Sequence, residues 1–215
     1  MDIERAAEHG ADLRPARIRD RNATADRLLQ ASMSILAEEG FSQFGINAVA
    51  RRAGCDKQLI YRYFGGMDGL VDAIGAATAG WVDARMPDEG AGGFLLTYGD
   101  LIERLLLLFL DALRDDPLMR KIIAWEMAEA NSQVRRLAEA RTKAMTAWLN
   151  RVKGDMTPPR GLDTLAINAV LIGAIQHMVL SVDASGSLSG MGLESARDWE
   201  RARMAIRKLV RGVYP

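Results

Sequence analysis

The chain has 215 residues, 49% of them hydrophobic, which is enough apolar material for one medium domain or a small domain joined to a larger one and excludes disorder throughout. Its 28 basic and 28 acidic residues cancel, so any nucleic-acid contact has to come from a local patch rather than from overall charge. Cys55 is the single cysteine, which rules out an intramolecular disulfide and a cysteine-based zinc or iron–sulfur site and points to a reducing, cytoplasmic setting.

Residues 1–21 alternate charges with small residues and lack the apolar run of a secretory signal, so they are expected to form a disordered, soluble arm. Apolar residues then recur at intervals of three and four along the chain, while strand-like alternation is almost absent. The expectation is an all-α protein of about nine helices. The first runs from about residue 24 to 39, anchored by Leu28, Ile35 and Leu36, with Gly40 placed to end it in a left-handed conformation. Two short helices follow, near 46–52 and 57–63. Ala53-Gly54-Cys55-Asp56 between them combines a glycine for a tight turn with a carboxylate that can cap the next helix.

A fourth helix spans about 67–85 and ends at the glycine-rich stretch 87–93, where a long loop is expected. The fifth covers about 94–114. Its Asp100, Arg104, Asp111 and Asp115 share one stripe and leucines fill most of the rest, so it should be nearly surrounded by protein. Pro117 opens a sixth helix, and Asn131-Ser132 opens a seventh that runs to about Lys153. The eighth covers about 162–182. Its apolar run from Leu165 to Leu180, interrupted by Asn168, Gln176 and His177, is expected to fall short of the roughly 20 residues that span a membrane, and no membrane partner is expected. A small-residue loop at 184–192 precedes the last helix, about 194–213. The domain division expected is an arm at 1–21, a three-helix head at 22–66 and a larger helical body at 67–215.

The short helix beginning at Lys57 carries the most informative pattern. Turned by 100° per residue, Lys57, Gln58, Tyr61 and Arg62 fall on one face and Leu59, Ile60, Tyr63 and Phe64 on the other. The first set suits a phosphate-lined groove: lysine and arginine pair with phosphates, a tyrosine hydroxyl can donate to one, and glutamine can make a paired contact with adenine. Between residues 46 and 66 the cations Arg51, Arg52, Lys57 and Arg62 face one acid, Asp56, in an otherwise neutral chain. Charge alone fits an ordinary solvated hairpin. The glycine turn at this offset favours a helix-turn-helix over residues 45–64.

The run EEGFSQFGINAVARRAGCDKQLIYRYFGGMDGL resembles the helix-turn-helix of the TetR family of transcriptional regulators, through Gly40, Ile46, Val49, Ala50, Ala53, Gly54, Ile60, Tyr61, Phe64 and Leu70. These motifs cover about a quarter of the chain, and the helix layout extends the likeness over most of it. Three positions depart from the family pattern. Gly45 stands where a threonine or serine caps the second helix, Met67 replaces a phosphate-binding lysine, and Gln58-Leu59 replaces a small residue and threonine. The resemblance implies base reading by Lys57, Gln58 and Leu59 and backbone contacts by Tyr61, Arg62 and Tyr63, with Gly45 offering its amide and Asn47 a base or phosphate contact. Arg14, Arg17, Arg19 and Arg21 can reach an adjacent groove or remain solvated.

In the last helix Trp199, Ala202, Ile206, Leu209 and Val213 draw a narrow apolar seam suited to a partner helix, in the same chain or in a second copy. The resemblance implies a dimer through the two C-terminal helices, binding a near-palindromic DNA operator whose half-sites lie about 34–36 Å apart. It also implies a small-molecule effector among the body helices that releases a repressor from DNA. Glu103, Trp125, Glu126, Asn168, Gln176 and His177 are polar or amphipathic groups on apolar helices and are the candidates to orient that effector, each of them also fitting a satisfied core position.

No cofactor and no metal site are implied. His9 lies in the arm and His177 stands alone without a nucleophile motif, so no enzyme is expected. Two alternatives remain: a redox-responsive regulator acting through Cys55, and a helical small-molecule binder that does not act on DNA.

Overall fold

The computed structural model describes residues 13–84 and 97–214. Among the described residues the chain forms nine α-helices: α1 Leu13–Glu39, α2 Ile46–Ala53, α3 Gln58–Phe64, α4 Met67–Asp83, α5 Tyr98–Asp115, α6 Pro117–Ala128, α7 Ser132–Lys153, α8 Thr164–Ser185 and α9 Ala196–Val213. A 3-10 turn at Phe41–Gln43 links α1 to α2, and a small antiparallel hairpin, β1 Ser187–Leu188 with β2 Met191–Gly192, occupies the loop before α9.

Two expectations change at the ends of elements. The arm is helical from Leu13, because Leu13, Ala16 and its four arginines favour helix and Pro15 falls in the first turn, where its missing N–H costs nothing. Residues 1–12, with His9, lie outside the described residues, as does the loop expected at 87–93. The eighth helix is longer than expected: α8 has 22 residues and is apolar enough to cross a membrane by length and composition, since Asn168, Gln176 and His177 interrupt it without introducing a formal charge.

Most helix starts follow from their capping residues. The Thr97 hydroxyl accepts from the Asp100 amide at 3.1 Å while the Asp100 carboxylate accepts from the Thr97 amide at 3.0 Å. Ser195 and Asp198 repeat this exchange at α9, Asp116 accepts from Met119 ahead of Pro117, and Asn131 accepts from Val134. At the other end of α8, Gly186 takes a left-handed conformation and its amide donates to the carbonyls of Ser181 and Val182.

Two apolar cores result. One gathers Leu28, Ile35 and Leu36 of α1, Val49 and Ala50 of α2, Ile60 of α3, and Leu70, Val71 and Ile74 of α4. It continues into the body through Ile122 of α6 and Val134 and Leu137 of α7, so packing does not stop at residue 66. Helices α4 and α7 approach so closely that a methyl group on Gly75 would lie 2.5 Å from the Ala140 side chain. Arg136 of α7 binds two α4 carboxylates, donating to Asp68 at 3.0 Å and to Asp72 at 2.8 and 2.7 Å.

The second core joins α5, α6, α8 and α9. Helix α5 is its centre, with only Asp100 and Asp115 of its eighteen residues exposed. The α9 seam faces inward: Trp199, Ala202, Ile206 and Val210 are buried in this core, and Val213 packs against it. The seam assigned to a partner is therefore corrected to an intrachain one for Trp199, Ala202, Ile206 and Val213. Leu209 alone of that set points out, 56% exposed. The reason is that α5 offers an apolar surface to the same stripe and clamps it with charge. Glu103 accepts from Arg211 at 2.7 Å, and Asp111 accepts from Arg203 at 2.6 Å.

Candidate nucleic-acid interface

Helix α3 is short, so its orientation depends on what it buries. Ile60 is fully enclosed in the first core, and Leu59, Tyr63 and Phe64 pack partly buried against the same core. The opposite face is left to solvent: Lys57, Gln58, Tyr61 and Arg62 are all exposed, Tyr61 by 56%. The four side chains expected to meet DNA therefore share one outward face. Leu59 and Tyr63 stand at its edge, half-committed to packing, which narrows what each can offer a nucleic acid.

The turn that aims α3 works as its residues suggest. Gly54 adopts φ 64°, ψ 40°, the left-handed region where a side chain would be strained, and its amide closes α2 on the carbonyls of Ala50 and Arg51. The Asp56 carboxylate then accepts from the Gln58 amide at 2.7 Å, fixing the first turn of α3. Gly45 is the N-cap of α2 in an extended conformation, with open space where a side chain would stand, and Asn47 is exposed two residues after it. Cys55 is half-buried against the first core, and its amide donates to the Ala50 carbonyl, which fits a packing role.

Electrostatics reduce the basic patch read from composition. Arg52 turns back onto α1, donating to Glu38 at 2.8 Å and to Glu39 at 2.6 Å. The Glu38 partner raises the Arg52 pKa further, and the Arg52 hydrogen bond holds the Glu38 carboxyl below the usual carboxylate range. Arg52 thus serves as a brace between α1 and α2. Arg51, Lys57 and Arg62 remain exposed on the head. Arg14, Arg17, Arg19 and Arg21 fall on α1 at positions whose side chains lie outside those described.

The head is held by a junction that no local motif announces. Gly40 has φ 76°, and a methyl group there would lie 3.0 Å from the Trp125 ring and 2.9 Å from Glu129 Oε1. Beside it the Phe41 amide donates to that same Glu129 oxygen at 3.2 Å. Trp125, one of the effector candidates, packs over the end of the first helix. The residues are far apart in the chain, so spacing gives no sign of their meeting.

The other effector candidates are also dispersed. Glu103 is committed to Arg207 and Arg211 on α9, and Asn168 accepts from the Tyr214 hydroxyl at 2.8 Å. Gln176 is half-buried on α8, and His177 is exposed on the outer side of that helix. Glu126 alone among the six combines deep burial with an unused polar atom, its Oε1. Of these candidates, Glu103 and Asn168 are engaged by Arg207, Arg211 and Tyr214, Trp125 packs over Gly40, and His177 is exposed.

Residues 28–74, from the buried part of α1 into α4, match the family model described as bacterial regulatory proteins, tetR family. A TetR family transcription regulator from Marinobacter aquaeolei VT8 superimposes with a TM-score of 0.57 at 19% identity, over 92% of this chain and 98% of that one. Residues 28–74 are thus similar to the TetR family head, and the whole chain shares the fold of TetR family regulators. Two further structures share the fold. The fatty acid degradation regulator FadR from Bacillus halodurans has a TM-score of 0.60 at 17% identity, covering 88% of this chain and 95% of its own. FadR from Bacillus subtilis in complex with stearoyl-CoA has a TM-score of 0.59 at 16% identity, covering 86% and 96%. Among curated proteins none matches the sequence.

Proposed function

We propose that the chain is a DNA-binding transcriptional repressor that acts as a homodimer and leaves its operator when a small molecule binds the body. The observation that carries this reading is the split face of α3, with Ile60 buried in the head core and Lys57, Gln58, Tyr61 and Arg62 together in solvent. Arginine and lysine neutralise phosphates, while the amide of Gln58 near the helix start supplies a paired contact to a base edge. Neither a carrier protein nor an enzyme needs such a face.

Dimerisation follows from what the second core leaves uncovered. Helix α8 turns Ile175 and Val179 inward but leaves Leu165 and Val170 82% and 72% exposed, and α9 exposes Met204 and Leu209. Apolar area of this extent, on helices whose other sides are fixed to α5, is covered by the same helices of a second copy. A membrane is a poorer cover, because one side of α8 is bound within the chain through Ile175, Val179, the Asn168–Tyr214 hydrogen bond and the Arg120–Asp183 ion pair.

The test is selection of operators from a random-duplex library by the wild type, Lys57→Ala and Tyr61→Ala proteins at two salt concentrations. A near-palindromic sequence enriched by the wild type and lost with either variant supports the reading. Enrichment that both variants retain, or none at all, overturns it.

A further inference from the structure

We propose that Oε1 of Glu126 is the polar anchor of the effector site and accepts a hydrogen bond from a neutral donor, a hydroxyl or an uncharged N–H, on an otherwise apolar ligand. This rests on the small-molecule release described under the proposed function and names the chemistry of that ligand. Glu126 lies on the inward stripe of α6 with Met119, Ile122 and Ile123. Ile122 belongs to the head-side core and Met119 and Ile123 to the other, so the stripe runs along the seam between the two. The Glu126 side chain is only 8% exposed there. Its Oε2 accepts from Nη1 of Arg141 on α7, and its Oε1 is buried with no hydrogen-bond partner among the described groups.

A carboxylate has capacity for about four hydrogen bonds, and a buried oxygen left unpaired is costly. Arg141 already balances the charge, so what the site still lacks is a donor. A second cation, or an anion competing for Arg141, would have to be stripped of water beside Met119, Ile122 and Ile123. A hydroxyl carries a far smaller desolvation cost and completes the carboxylate. Helix α7 is itself packed closely on α4 here, since the Arg141 amide lies 2.9 Å from the position of a methyl group on Gly75. A ligand seated on Oε1 therefore bears on α6, whose Trp125 and Glu129 hold Gly40 and Phe41 at the end of the first helix. Uptake of the ligand and release of the head are linked through one helix.

Four aromatic probes of similar size separate the possibilities: phenol, anisole, benzoate and benzylammonium, titrated calorimetrically into the full-length protein in the absence of DNA. Phenol is expected to bind on the order of tenfold more tightly than anisole. Glu126→Gln, which keeps an acceptor, retains part of that preference, and Glu126→Leu abolishes it, with circular dichroism confirming that both variants are folded. Equal binding of phenol and anisole, no binding of phenol to the wild type, tightest binding of benzoate or benzylammonium, or a phenol preference that survives in Glu126→Leu would each overturn the proposal. Operator affinity measured separately by fluorescence anisotropy distinguishes this failure from that of the regulatory reading: an operator that binds while phenol does not leaves DNA binding intact and removes only the Glu126 site.

Discussion

The Phe41 amide donates to Oε1 of Glu129 at 3.2 Å, and this hydrogen bond ties the turn after α1 to the end of α6 across 88 residues of sequence. Gly40 lies under the Trp125 ring at the same place, in a backbone conformation with φ 76° that side chains rarely adopt. The end of α1 and the helix carrying Glu126 thus meet at a single junction.

Substitution at this junction affects both stability and DNA binding. Gly40→Ala introduces a strained φ and a clash with Trp125 and Glu129, for an expected loss of about 1–3 kcal/mol in urea denaturation. Glu129→Ala, which removes the acceptor of both the Phe41 amide and the Asn131 side-chain amide, is expected to lose about 1 kcal/mol and to weaken operator binding in parallel. Unchanged operator affinity in both would show that the junction does not orient the head.

On the face of α3, Arg62→Ala is expected to reduce the slope of log affinity against log salt by about one phosphate contact, uniformly over operator sequences. Gln58→Ala differs in kind: it should relax preference at one base position, by about 1–3 kcal/mol of discrimination. Both residues are exposed, so denaturation midpoints should stay within about 0.5 kcal/mol of the wild type. Binding titrations on a set of single-base operator variants separate the two outcomes.

The outer faces of α8 and α9 predict which changes break an assembly and which unfold the chain. Val170→Glu and Leu209→Arg replace exposed apolar groups and are expected to yield folded monomers by analytical ultracentrifugation, with much weaker operator binding. Ile206→Ala instead empties a buried site and should cost about 2–5 kcal/mol of stability. An intact dimer in the double variant Val170→Glu/Leu209→Arg would place the interface elsewhere.

Acid should loosen the brace between α1 and α2. The Arg52 hydrogen bond, helped by Ser34, lowers the Glu38 pKa in the folded chain. A carboxylate whose folded-state pKa is depressed stabilises the fold above its ordinary value, and that contribution is lost as pH falls through the lowered one. Asp198 behaves alike through its hydrogen bonds from Ser195. Both groups are solvent-accessible, so the effect is small and screened by salt. Glu38→Gln should flatten the acid side of the melting-temperature profile, and a profile identical to the wild type would show that the brace contributes nothing.

Signals confined to one turn or one helix face were legible in the sequence. Pro117 and Asn131 start helices because a missing N–H and a short side-chain acceptor are local devices, and Gly54 with Asp56 sets the turn before α3 for the same reason. The outward set Lys57, Gln58, Tyr61 and Arg62 follows from a period of 3.6 residues and one buried isoleucine. The beginning of α1 was less legible, since alternating charge and small residues describe a solvated helix as well as an arm.

What only the tertiary structure decided is which neighbour each face meets. Periodicity marks an apolar stripe on α9 but is silent on whether α5 or a second chain covers it, and the fold gives Trp199, Ala202 and Ile206 to α5. Helix α8 is apolar on nearly every side, so pattern alone could not separate its inner Ile175 from its outer Val170. Polar residues divide the same way: composition counts Arg52 as a free cation and Trp125 as a pocket wall, whereas partners from distant segments make one a brace and the other a cover for Gly40. Backbone propensity and helical period act over a few residues and are therefore written in order along the chain. Burial and ion pairing depend on distances between segments that only the folded chain brings together.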